Sequence, residues 1–321
     1  MPYCRTRVVV CSLAFVVGTA ACSRAIKSTG AQPLTPQQMA EFWVDTPVES
    51  RDLFLGPGDP DVPPKPNSTL VFIKDTSTGF SRKVAVKDAA GTTWDVKLGP
   101  EAQPEVVSSR LVWALGYHQI PQYVVSRWVM KGGELGGTMP AARFRRDHEP
   151  GYRVIADQWS WHENPFVGTQ PYRGLLVLMA MLNNSDLKPE QNKIYEVSDP
   201  REHARRIYVV RDLGLTWGES GIEDPKRGDV DAFERQGFIK RIEGNRVVID
   251  QKNIRYELYD QLTVDDLRWM ARRLARLSDA QWRDAFRAAA YTDDAVVNRF
   301  IARMKQKIQQ GLEARADAAA N

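Results

Sequence analysis

The chain has 321 residues, 43% of them hydrophobic and 9% aromatic, so it can bury a core and is not a disordered polymer. Its 44 basic and 40 acidic side chains leave a formal charge of +4 without a basic block, which argues against a surface built for nucleic acid. All three cysteines, Cys4, Cys11 and Cys22, sit near the start, which excludes disulfides and cysteine-held metals from the rest of the chain.

Arg5 and Arg7 precede an apolar run from Val8 to Ala21 that ends in small residues, the pattern of a signal segment. This run is shorter than the ~20 residues that a membrane-spanning helix needs. Thr19-Ala20-Ala21-Cys22 resembles a bacterial lipobox. The resemblance implies that residues 1–22 form a signal peptide, that Cys22 is lipidated, and that the protein is exported and membrane-anchored at the periplasm or cell surface. Thr19 stands where leucine is usual, so simple cleavage after Ala21 is the alternative.

Residues 23–68 are expected to be a tether and a Pro/Gly-rich linker, from Gly56-Pro57-Gly58 to Pro63-Pro64-Lys65-Pro66. Between them, Thr35-Pro36-Gln37-Gln38 carries a capping-box pattern that predicts a short helix to about Trp43.

Residues 69–146 are expected to form a small antiparallel sheet with one helix. Strands are predicted at Leu70–Ile73, Lys83–Lys87, Thr93–Leu98, Gln122–Met130 and Thr138–Arg145. Pro104 opens a predicted helix from Glu105 to Leu115, with Val107, Leu111 and Leu115 on one stripe and Gly116 as its stop. In residues 147–321 the character turns helical. Tyr172–Leu182 is apolar almost all round, as in a helix buried on every side, and runs into Asn183-Asn184-Ser185-Asp186. Lys193–Val197 and Ile207–Val210 are predicted strands, and boxes at Thr263 and Ser278 start helices in the last third.

Some candidate chemistries fail on spacing. His118, His148, His162 and His203 are scattered without metal-ligand spacing, and no Gly-x-Ser-x-Gly elbow occurs. The aromatic stretch Trp159-Ser160-Trp161 is expected to pack against the buried helix, and Arg272, Arg273 and Arg276 to form a solvated face.

What remains is a set of polar residues in a telling order. Phosphoryl transfer needs a lysine on the phosphates, a carboxylate orienting it, an aspartate near the incoming hydroxyl and oxygen ligands for a divalent ion. Lys97 lies late in the third strand, opposite in facing to Trp94, Val96 and Leu98. Lys87 runs straight into a turn and is expected at the rim. Glu105 is the first choice to pair with Lys97, with Glu101 second, and Gly79 marks a candidate phosphate-covering hairpin.

Asp186-Leu187-Lys188-Pro189-Glu190 after an apolar helix resembles the protein-kinase catalytic loop, and Asp212-Leu213-Gly214 after a strand resembles its metal-binding turn. Over about Thr69 to Gln310 the chain resembles the atypical kinase-like families, HipA-type and secretory-pathway Golgi kinases, with Glu105-Val106-Val107-Ser108-Ser109-Arg110-Leu111 opening the helix. The resemblance implies an α+β, two-lobed protein-kinase-like fold with an antiparallel-sheet N-lobe and a mainly helical C-lobe. It also implies ATP or another nucleotide as ligand, with Mg²⁺ or Mn²⁺. Lys97 and Glu105 would clamp phosphate, Asp186 would position the acceptor and Lys188 would steady the γ-phosphate. Asn192 and Asp212 would hold the metal, with Gln191, which occupies the place where the family's asparagine is expected, as the alternative amide ligand. The acceptor would be a hydroxyl on a protein, sugar or small molecule. The alternative function is a non-catalytic exported lipoprotein that uses the same scaffold for binding.

Overall fold

The computed structural model describes residues 33–316, apart from 78, 200, 222 and 254. The expected signal peptide, Cys22 and the start of the tether lie outside the described residues. Among the described residues no helix is long and apolar enough to cross a membrane.

The first element is α1 (Pro36–Ala40), whose Thr35 and Gln38 form both bonds of the expected capping box. Residues 33–68 do not run free as a linker. Phe42, Val48 and Leu53 are all but fully buried, and Phe42 stacks on Phe166 at 4.6 Å between ring centroids. Three apolar anchors in a proline-rich stretch are enough to dock it, because each fully buried side chain contributes about 1.5–3 kcal/mol. The strap then crosses to the sheet, where the backbone N–H of Asp59 donates to the Tyr123 hydroxyl.

The first lobe is a seven-stranded sheet of β1 (Thr69–Asp75), β2 (Lys83–Lys87), β3 (Thr93–Lys97), β4 (Tyr123–Val125), β5 (Trp128–Lys131), β6 (Gly137–Met139) and β7 (Ala142–Arg146). They lie in the order β4-β7-β3-β2-β1-β5-β6, antiparallel except for β1 with β5. Two predicted strands are each broken in two. Gln122–Met130 splits at Ser126-Arg127 because its halves serve opposite sides of the sheet, β4 on β7 and β5 on β1. Thr138–Arg145 splits at Pro140, which has no N–H for a ladder. The alternation of β3 sends Trp94 and Val96 into a core with Trp128 and Phe144, whose rings meet edge to face at 5.2 Å.

Helix α2 (Ala102–Ala114) follows β3 directly and ends at Gly116, at φ +98°, where a Cβ would lie 2.1 Å from the Val44 carbonyl oxygen. Its Val106, Val107, Leu111 and Val112 join the core of the second lobe, so the helix bridges the two. That lobe holds a three-stranded sheet of β8 (Tyr152–Ala156), β9 (Lys193–Val197) and β10 (Arg206–Val209) in the order β10-β9-β8. Around it stand α3 (Gln170–Met181), α4 (Val230–Arg235), the hairpin β11 (Ile239–Glu243) and β12 (Arg246–Ile249), α5 (Val264–Leu274), α6 (Asp279–Ala288) and α7 (Asp294–Glu313). Helix α3 is buried on nearly every side, as its all-round apolar sequence requires. The expected α+β class and the division into a sheet lobe and a mainly helical lobe are both present.

Candidate active site between the lobes

The inner face of the sheet carries charge because β3 alternates. With Trp94 and Val96 in the core, Asp95 and Lys97 point the other way, Lys83 stands opposite Lys97 on β2, and Arg143 opposite Lys97 on β7. Arg145 pairs in register with Asp95, whose carboxylate takes Arg143 at 3.2 Å and Arg145 at 2.6 Å. Burial would raise the Asp95 carboxyl, but these guanidiniums outweigh it and hold the group well below the usual carboxylate range.

Lys97 is 1% exposed, and three carboxylates meet its ammonium: Glu105 at 2.5 Å, Glu101 at 3.2 Å and Asp212. Burial disfavours its charge, yet Glu105, Asp212 and Glu101 together hold its pKa above that of an ordinary lysine. Glu105 is shared with Arg143 at 3.2 Å. Glu101 also takes the Ser81 hydroxyl at 2.7 Å and Arg227 at 2.9 Å. Both acids expected as Lys97 partners therefore reach it. Lys87, by contrast, is exposed at the strand's end.

Across the cavity, the loop after α3 is pinned before Asp186 begins. Asn183 adopts φ +60°, donates to the Gly218 carbonyl at 2.7 Å, and accepts from Gln251 at 3.0 Å and from the buried Lys307 at 2.7 Å. Lys307, whose pKa burial pushes well down, also donates to the Met181 carbonyl, so one buried lysine caps the helix end and holds the loop. Asp186 then projects its carboxylate to Lys188 at 2.7 Å and to the Gln191 amide at 2.6 Å.

Asp212 follows β10 in the left-handed conformation at φ +55°, one that aspartate tolerates better than most residues and that concentrates at functional positions. Burial would raise its carboxyl, but Lys97 and Lys83 hold it below the usual range. Gly214 lies so close to α2's start that a Cβ would meet the Glu101 Cβ at 2.6 Å. Beyond it, Ser108 of α2 bonds Thr216 at 2.9 Å and Trp217 at 3.0 Å, which fixes the turn relative to Glu105.

Lys97, Glu105, Gly79, Asp186, Lys188 and Asp212 thus line one cavity of about 550 Å³ between the lobes. Asn192 does not join them. It is 1% exposed, its amide N–H donates to the Trp159 carbonyl at 3.1 Å, and Gln191 lines the cavity in its stead. The metal-ligand role expected for Asn192 is corrected on that ground: the short helical turn Pro189–Gln191 carries Gln191 inward and the next side chain away.

Sequence reasoning missed Arg143, Arg145, Arg211 and Arg227, which also line the cavity. The alternation Arg143-Phe144-Arg145 carried a signal, since burying Phe144 turns both arginines to the other face. Arg227 sits in a loop, with its guanidinium 3.6 Å from the Phe80 ring centroid, and no local pattern marks it.

No protein-family model matches the chain. No curated protein matches it either. Among solved structures, a Helicobacter pylori proinflammatory kinase, CtkA, is similar at 12% identity and a TM-score of 0.47, covering 78% of this chain and 97% of that one.

Proposed function

We propose that the protein is a kinase-like phosphotransferase that moves the terminal phosphoryl group of a nucleotide such as ATP to a hydroxyl on a protein, sugar or small molecule. The observation that carries this reading is the gathering, in one cavity, of a buried lysine held by Glu105, an aspartate on a strained turn beside it, and the Asp186–Lys188 pair across from them. Lys97, fixed in place by Glu105, would hold phosphate oxygens. Asp186 would accept the proton of the incoming hydroxyl as its oxygen bonds to phosphorus and the bridging P–O bond breaks. Lys188 would neutralise charge on the transferred group.

The residues fit a divalent ion of the magnesium class. Asp212 offers a carboxylate and Gln191 an amide oxygen, and magnesium is held by one or two carboxylates plus phosphates and water. Among the described residues no cluster of three His, Cys, Asp or Glu side chains could cage a metal, so substrate oxygens would have to complete the shell. Bound there with the phosphates, the ion would neutralise charge on the chain being cleaved.

Supporting an exported, lipid-anchored location are the Arg5–Ala21 pattern and the lipobox-like end at Cys22. The second reading, a non-catalytic scaffold, has one observation in its favour: Lys97 is saturated by three carboxylates and Asp186 by Lys188 and Gln191, so the ion network closes on itself. Incubation of the full chain with γ-labelled ATP and Mg²⁺ separates the two. Label on the chain, on an added acceptor or in released phosphate, lost in Asp186→Asn, supports transfer. Equal turnover in wild type and Asp186→Asn would sink the assignment.

A further inference from the structure

Ligand pockets are ordinarily lined mostly by apolar and aromatic side chains with a few placed polar groups. This cavity inverts that composition. Of its lining side chains among the described residues eight are Lys or Arg and six are Asp or Glu, and only Phe80, Leu215 and Pro225 are larger apolar groups. A flat base needs an apolar slot next to the phosphates, and the directions from Lys97 along the sheet and behind Glu105 offer none. On the sheet's inner face the Asp95–Arg143–Arg145 cluster fills the floor, with Arg143 itself 1% exposed. Behind Glu105 and Arg145, toward Ile120 and Val209, the remaining space is about 10 Å³, roughly one water's worth. No residue of 147–151, the segment that joins the lobes, lines the cavity.

Two of the cavity's cations lack a close counter-charge. Arg211 pairs with no carboxylate among the described residues, and its side-chain bond runs to the Tyr195 hydroxyl at 3.1 Å. Lys83 has its nearest carboxylate 3.9 Å away. Burial, with Arg211 and Arg143 beside it, pushes the Arg145 guanidinium down to about 10 even though the Asp95 carboxylate takes it at 2.6 Å.

Building on the phosphotransferase reading, we infer that the site selects its donor by the phosphate chain and not by the base, so that inorganic tripolyphosphate serves as well as any nucleoside triphosphate. With that donor the acceptor oxygen bonds to the terminal phosphorus as the bridging P–O bond breaks, and pyrophosphate leaves in place of a nucleoside diphosphate. Among the described residues Phe80 is the one aromatic ring in the cavity, 59% exposed and covered on a face by Arg227, so it provides no closed slot.

The test is binding of Mg²⁺ with ATP, GTP or tripolyphosphate to the full chain, by calorimetry, for wild type, Arg211→Gln and Phe80→Ala. A stacked base contributes about tenfold or more in affinity. The inference expects the three ligands to lie within about fivefold of one another in wild type and to weaken in parallel in Arg211→Gln. ATP binding tenfold or more above tripolyphosphate would overturn it while leaving the phosphotransferase reading standing. Loss of ATP and GTP affinity alone in Phe80→Ala would also overturn it, by making that ring a base platform. Failure of all three ligands to bind would overturn both.

Discussion

Replacing Lys97 with methionine removes the one cation shared by three acids while nearly keeping the volume. Glu105 would keep Arg143 at 3.2 Å and Glu101 would keep Arg227 at 2.9 Å, so neither is orphaned. Asp212 would keep only Lys83, at 3.9 Å. Stripping one partner from a buried ion pair costs about 3–5 kcal/mol, and since two of the three acids retain cations the lower end, about 3 kcal/mol, is expected. For a domain of this size that corresponds to a fall in Tm of roughly 6–12 °C. The second variant in the cycle is Asp212→Asn, which removes the orphaned charge. The double variant should therefore recover about 1–2 kcal/mol relative to Lys97→Met plus Asp212→Asn taken additively. Urea unfolding of the four proteins, followed by far-UV circular dichroism, gives the coupling directly. A Lys97→Met protein as stable as wild type, or a strictly additive double variant, would refute the reasoning.

Phe42→Ala should cost about 3–5 kcal/mol, because the ring is 1% exposed and packs on Phe166, Tyr117 and Trp159; thermal melting checks it, and an unchanged Tm would mean that residues 33–68 are not part of the folded unit. Stability should fall on acidification below about pH 4: Asp212, Asp95 and Glu105 are held below their ordinary values in the folded chain, so the unfolded chain binds protons first, and the stabilisation present above the ordinary carboxylate range is lost as pH drops through the depressed values. Midpoints measured in urea from pH 7 to pH 3 test this, with Asp212→Asn expected to show a shallower loss.

Much of the site was legible because local rules agree with the fold. The apolar alternation of Trp94, Val96 and Leu98 by itself turns Lys97 away from the core, and the all-round apolar helix before Asn183 places Asp186 at a buried helix end. The docking of the strap is not legible locally, because its proline and glycine content describes backbone freedom and not burial. Phe42, Val48 and Leu53 decide its fate through partners more than a hundred residues away, such as Phe166, Trp159 and Gln281. Hairpin β11–β12 was overlooked although Glu243-Gly244-Asn245 between alternating runs is a hairpin signal, and Gly244 does adopt φ +60°. The choice between Asn192 and Gln191 is of a different kind. One residue of 3₁₀ turn decides which of two adjacent amides faces inward, and motif spacing alone does not fix that. Arg227 reaches Glu101 across 126 positions of sequence, a contact that no local pattern encodes.

The most direct test of the proposed phosphoryl-transfer site is titration calorimetry of the full chain with ATP, with and without Mg²⁺, in wild type and Asp212→Asn. Wild type should bind ATP in a magnesium-dependent way, and the variant should lose or strongly weaken that binding. Equal binding by both proteins, or binding indifferent to the metal, would contradict the proposal.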